Sequence, residues 1–349
     1  FISVYSTIIM IIRPATVTWF MTRYLAQNEE DKVRGVLVMS LKIEIIVSAL
    51  AFLCISTLSG FISKYLSLSV LTVLFAMAAG FLSNIVAVLT SALYALSKYA
   101  EAAKQSMISN IFSRFPALGL ALTEGPLGIA FAWALGNITS ILYQLSKLRR
   151  FLSNGKPTNS SCMLKYSMPL YALSFISLFQ GWAGISFLYL ITKSQSIIGV
   201  YYIISASAGM LAILYSPFTS VVLNAFAYVH TTSEENGINK TLGKVEGIIV
   251  LLVLIVSLSI AAVSPTLLRL IYGKVYVHDY VAFSTLAGST IFSALSSVYA
   301  TVLRAIGRTG RVLEAGIVAT ISLFLALFIL APRFGATGVA ASVAMSGFV

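Results

Sequence analysis

Eleven long apolar stretches separated by short polar loops dominate this sequence and leave few folds open to it. They run near 1–22, 36–59, 67–96, 105–122, 125–145, 167–190, 196–228, 246–272, 280–303, 312–331 and 335–349. Crossing the hydrocarbon core of a bilayer takes about 20 mostly apolar residues in a helix, which satisfies its backbone polar groups internally. The pattern therefore predicts an all-α polytopic membrane protein. Charge content agrees: 10% of the 349 residues are charged, against about 25% in a typical soluble domain. The longest loop, 146–166, is too short to hold a soluble catalytic domain.

The cations fix an orientation. The net charge is +12, and fifteen of the 23 Lys and Arg lie in loops that follow the first, third, fifth, seventh and ninth stretches. The alternate loops hold five (Lys64, Lys193, Arg269, Lys274 and Arg333), and Arg13, Lys42 and Arg114 lie inside stretches. Cytoplasmic loops carry such an excess, so the basic side is read as cytoplasmic and residue 1 as starting outside. The basic surplus then meets anionic membrane lipids, and no nucleic acid is needed to explain it. The expected location is the cell (plasma) membrane, as a multi-pass protein. Two cysteines, two histidines and two aspartates (Asp31, Asp279) offer no raw material for a metal site or for hydrolytic catalysis. No cofactor, no metal and no enzyme activity are expected.

The chain repeats itself. Arg23-Tyr24-Leu25-Ala26 resembles Ala227-Tyr228-Val229-His230, and Lys42-Ile43-Glu44 matches Lys244-Val245-Glu246. Tyr94 to Lys98 resembles Arg304 to Arg308, and Gly125-x-x-Gly128 matches Gly335-x-x-Gly338. The four offsets are 204, 202, 210 and 210 residues. A repeat of six helices keeps the same direction through the membrane, which predicts two parallel six-helix lobes. Residues 1–145 form the N-lobe with five helices, 146–166 a basic cytoplasmic inter-lobe loop, and 167–349 the C-lobe with six. Stretch 167–190 has no counterpart before residue 1, and 335–349 stops without a polar flank. The expectation is a chain whose first helix and C-terminal end are missing, with at least twelve helices when intact.

These residues resemble the multidrug/oligosaccharidyl-lipid/polysaccharide (MOP) exporter superfamily, and within it the polysaccharide biosynthesis flippases. The resemblance rests on Thr22-Arg23-Tyr24-Leu25-Ala26 before NEEDKVRG and on Leu268-Arg269-Leu270-Ile271-Tyr272-Gly273 with Tyr276. Leu303 to Arg308 and Gly335-x-x-Gly338-Val-Ala-Ala complete it. It implies a MATE-like architecture of two lobes around a central cavity. By alternating access such a transporter flips a lipid-linked oligosaccharide or polysaccharide precursor across the membrane, with glycosyltransferases of the same pathway as possible partners.

A pyrophosphate-linked headgroup needs a polar, cationic cavity, and a charge at mid-membrane usually faces a cavity or a partner. Arg13, followed by Pro14, and Arg114, with Pro116 two residues on, are the substrate-binding candidates. A guanidinium fork matches phosphate oxygens; the structural alternative is pairing with Glu124 or an asparagine. Gln180 and Trp182 are candidates for the sugar, since aromatic faces stack on sugar rings. Glu44 is a candidate for ion coupling, whereas Lys42 is placed to snorkel to the interface. Asn84, Asn110, Asn137 and Asn224 either line a cavity or join helices, and Trp19 is read as an interface anchor. The sequons at Asn137, Asn159 and Asn239 lie in a helix or on the cytoplasmic side, so none is expected to carry sugar. Three competing functions remain: an ion-coupled drug exporter of the same superfamily, a membrane-embedded glycosyltransferase, and a non-transporting scaffold.

Overall fold

The structure is a computed structural model that describes residues 2–153, 155, 159–232 and 235–348. Every described α, β or 3-10 element is helical. The side chains of Asn239, Lys244 and Glu246 lie outside the described residues, and with them the second half of the Lys42/Glu44 echo.

The chain divides into two compact units, Phe1–Tyr171 and Ala172–Val349. The N-terminal unit is built from α1 (Ile2–Ile9), α2 (Pro14–Ala26), α3 (Glu30–Ser56), α4 (Ser59–Leu66), α5 (Val70–Ala95), α6 (Tyr99–Glu124), α7 (Pro126–Leu148) and the start of α8 (Ser160–Thr192). The C-terminal unit takes the rest of α8, then α9 (Gln195–Gly209), α10 (Ser216–Thr232), α11 (Glu235–Ala262), α12 (Ser264–Ile271), α13 (Tyr280–Ala305) and α14 (Thr309–Phe348). The boundary thus falls inside a helix and not in the 146–166 loop.

Local chemistry explains where the helices stop. Pro14 and Pro126 each occupy the first turn of a helix, where their missing N–H costs nothing. Ser69 caps α5 by accepting from the Thr72 backbone N–H at 3.1 Å. The first apolar stretch is not one straight rod: α1 and α2 meet at 45° across residues 10–13. Likewise α11 turns through 70° into the short α12. In α12 Leu268 is buried while Leu270 and Ile271 are exposed, an amphipathic pattern suited to a membrane interface.

The duplication read from sequence has a geometric counterpart. α5 and α13 are both 26 residues long and start 210 residues apart. Both close with the same bonds: Lys98 N–H to Leu93 O and Arg308 N–H to Leu303 O, each 2.8 Å. The residue that makes this turn possible has positive φ in each, Ser97 at 55° and Gly307 at 80°. Residues 71–80 and 281–290 bury the same positions in the same order.

Seven helices are long and apolar enough to cross a membrane, or nine if each bent pair is one span. The remaining two stretches of the sequence reading are also helical. α14 is broken at Gly335 (φ 55°, ψ −129°) and so contains two of them. α6 is the other, and it carries Asn110, Ser113 and Arg114 among its apolar residues. The protein is a multi-pass membrane protein.

Each unit has its own apolar core. In the N-terminal unit Ile12, Met21, Leu37, Leu89 and Leu93 are fully buried together. In the C-terminal unit Leu188, Ile204, Leu327 and Val339 are. Trp19 stacks on Tyr166 at 4.9 Å within the first core, and Arg23 sits 5.3 Å from its ring centroid.

Candidate functional site

In the N-terminal unit α1, α5, α6 and α7 enclose a polar cavity of about 350 Å³. Its wall includes Ser6 and Thr7 from α1, and Asn110, Ser113 and Arg114 from α6. Asn137 joins them from α7 and donates to the Ala79 carbonyl of α5 at 2.9 Å. None of the lining residues is acidic. The Arg114 Nε donates to Asn110 Oδ1 one turn earlier at 2.9 Å. That bond aims the guanidinium and leaves its two terminal nitrogens without a protein partner among the described residues. A cation so held can take a phosphate or carboxylate in bidentate fashion.

Arg13 is placed differently from what its sequence position implied. It does not line this cavity; it is the residue that precedes α2, in extended conformation at the helix break (φ −71°, ψ 146°). One of its terminal nitrogens donates to the Thr7 carbonyl at 3.1 Å, and its guanidinium lies 5.4 Å from the Tyr171 ring centroid. The break exposes backbone groups that water would satisfy in a loop. Here α8 does so instead: Ser167 accepts from the Arg13 N–H at 2.9 Å and donates to Ile11 O at 2.7 Å. Tyr171 donates to Ile8 O at 2.6 Å. Neighbouring hydroxyls commonly rescue broken spans in this way.

Glu44 is fully buried on α3, while Lys42, two residues away, is exposed. Ser48 donates to its Oε1 at 3.2 Å. Asn84, the Ile12 backbone N–H and the charge of Arg13 lie beside the carboxylate. Its Oε2 nevertheless has no hydrogen-bond partner of normal geometry. Asn84 continues the polar line toward the cavity, since it accepts from the Ser6 hydroxyl and donates to the Ser6 carbonyl at 3.3 Å. The buried acid therefore connects to the cavity wall through Asn84 and Ser6.

The two sugar candidates are not brought together. Gln180 lines two cavities of the C-terminal unit, of about 230 and 690 Å³, and donates to the Thr320 hydroxyl at 2.8 Å. Trp182 is exposed and lines neither. Residues two apart on a helix face different ways, which corrects the pairing of these side chains. The sequence reading also missed Ser6, Thr7, Ser113, Ser167 and Tyr171. The usable signal was hydroxyls at helical spacing within apolar stretches, Ser3-Ser6-Thr7 and Ser109-Ser113 among them.

No family model and no curated protein matches the chain. Solved structures do. It is similar to the Vibrio cholerae MATE transporter VcmN in its bent form, with a TM-score of 0.85 at 13% identity over 99% of this chain and 83% of that one. It is equally similar to a MOP superfamily transporter from Pyrococcus furiosus, described as having a binding pocket of reverse polarity that suggests a different function. That match has a TM-score of 0.85 at 13% identity and covers 100% and 83% of the two chains. An outward-facing multidrug resistance MATE family transporter matches with a TM-score of 0.84 at 14% identity over 99% and 82%. The chain has the fold of the MATE transporters of the MOP superfamily.

Proposed function

We propose that the chain is a plasma-membrane transporter of the MOP superfamily that flips an amphipathic substrate with an anionic headgroup, a lipid-linked oligosaccharide or polysaccharide precursor. One observation carries the reading. The polar cavity of the N-terminal unit has a guanidinium on its wall and no carboxylate. An anion gains from that field at membrane depth, whereas a cationic drug would be repelled by it. The reverse polarity described for the Pyrococcus furiosus neighbour supports reading pocket charge, and not fold, as the discriminator. Serine, threonine and asparagine around Arg114 add hydrogen bonds without charge.

The test is flipping of a fluorescent lipid-pyrophosphate oligosaccharide in proteoliposomes that contain the chain. Losing a charge-assisted hydrogen bond costs about 1.5–3 kcal/mol. Arg114→Ala is therefore expected to slow flipping at least about tenfold, and flipping at the unaltered rate would refute the assignment. A second reading, the ion-coupled drug exporter, is favoured by Glu44, a buried acid with an open oxygen. Under it, uptake of a cationic dye is abolished by Glu44→Gln and is indifferent to Arg114→Ala.

A further inference from the structure

The C-terminal unit holds a second polar cavity, of about 230 Å³, that the transport reading does not use. Three helices each turn one face to it. α9 contributes Tyr201, Ser205 and Gly209, four residues apart in turn, and α13 contributes Ser289, Thr290 and Ser293. Gln180 enters from α8. No lysine, arginine, aspartate or glutamate lines it.

The hydroxyls spend their protons locally. Ser205 donates to Tyr202 O at 3.0 Å, Ser289 to Leu286 O at 2.8 Å, and Thr290 to the same carbonyl at 3.3 Å. A hydroxyl has one proton and two lone pairs, so each of these offers the cavity an acceptor. Tyr201 differs. Its side chain is 3% exposed, and its hydroxyl makes no hydrogen bond to any described residue. Gly184 keeps the space beside it open, because a Cβ there would lie 3.7 Å from that hydroxyl and 2.7 Å from Val339. A buried tyrosine hydroxyl normally finds a partner.

The repeat sharpens the contrast. At the offset of 210, Thr290 corresponds to Gly80, and there the Tyr5 ring fills the space, 2.7 Å from where a Cβ would stand. The C-terminal unit has no such plug. Added Cβ atoms at Gly181 and Gly209, both on the cavity wall, would meet nothing within 4 Å.

We propose that this cavity binds an uncharged, hydroxyl-rich ring, a single sugar residue. An acceptor-lined wall with one free phenol calls for a ligand that brings several donors. A bare cation would have no counter-charge here, and an anion would meet only lone pairs. The volume is below the roughly 300–1,000 Å³ of drug-sized sites, which limits the occupant to about one ring. The physiological role of the site rests on the proposed transport of a lipid-linked sugar; the binding itself does not.

Photolabelling tests it. The purified chain in lipid nanodiscs is irradiated with a diazirine-bearing methyl glycoside, with and without excess methyl glucoside, and the adducts are mapped by mass spectrometry. Saturable adducts are expected on the segments 201–209 and 289–293. Tyr201→Phe, which keeps shape and removes only the phenol, and Gly209→Leu, which fills the cavity, are each expected to cut labelling about tenfold. Neither should lower the unfolding temperature. Labelling should persist in Arg114→Ala even where lipid flipping is lost. No saturable adduct, or full labelling in both cavity variants, overturns the sugar site and leaves the Arg114-dependent transport reading standing. Stabilisation by sodium or potassium chloride in place of the glycoside overturns it as well, in favour of a cation.

Discussion

A Cβ added at Gly128 would sit 2.4 Å from the Leu120 carbonyl oxygen, and one at Gly338 would sit 2.2 Å from that of Leu330. Both collisions are with backbone, which cannot swing aside as a side chain can. Three residues earlier, Gly125 (φ 58°, ψ −134°) and Gly335 (φ 55°, ψ −129°) adopt a conformation in which a side chain is strained. Together these glycines let two helices meet end to end and fold back closely. Gly119, also helical, has nothing within 4 Å of the same construction. Gly128→Ala is therefore expected to destabilise the chain by about 1–3 kcal/mol through overpacking. Gly119→Ala should stabilise it by about 0.5–1 kcal/mol through helix propensity. Thermal unfolding in detergent reads both, and shifts of the same sign would show that local space is not what decides. The spacing of these glycines was visible in the sequence; their collision with a carbonyl eight residues upstream was not.

At the scale of helices, α6 and α7 are fastened at their basic ends by Glu101. It lies in the first turn of α6, ahead of the apolar stretch 105–122. Its carboxylate accepts from the Tyr143 hydroxyl at 2.5 Å and from Lys104 at 3.2 Å, and Lys147 lies at 3.4 Å. The Tyr143 bond first, then the lysines, lower its pKa from the usual 4.5 to about 2. A carboxylate with a lowered folded-state pKa contributes stability that is complete above its unfolded value and lost as pH falls through the folded one. The window here runs from pH about 4.5 down to about 2. Glu101→Gln should therefore be less stable than the parent chain at pH 6 and converge with it near pH 2. A stability gap that stays constant over that range would rule the mechanism out. Such fastening was not legible in the sequence, because Tyr143 and Glu101 are 42 residues apart. The helix breaks were half legible: Pro14 marked one, but Ser167 and Tyr171, which satisfy its freed backbone, stand more than 150 residues away. α6 shows the reverse case, a stretch read as a span although Arg114 and Asn110 dilute its apolar character.

Across the molecule, hydrophobic runs made the spans and their order readable, because each span carries its own signal. Cavities carry no such signal. The one around Arg114 is assembled from α1, α5, α6 and α7, and only the charged member stood out from an apolar background. The two units repeat the same local geometry at α5 and α13 and at the Gly125 and Gly335 breaks, yet they differ in what fills the space beside Gly80 and Thr290. Duplication thus supplies the frame, and a few substitutions inside it set the chemistry of each half. Orientation follows from the cation excess in alternate loops. Cys162, exposed in the first turn of α8, lies on the basic side, and Lys193, between α8 and α9, on the other. In a Cys54→Ser background, an impermeant maleimide added to intact cells is expected to label Lys193→Cys. Cys162 should stay unmodified until the membrane is permeabilised. Both positions reside at opposite ends of α8, so the reagent reports on one helix and its direction. Labelling of Cys162 in sealed cells, with Lys193→Cys protected, would invert the assignment and place the fifteen-cation side outside.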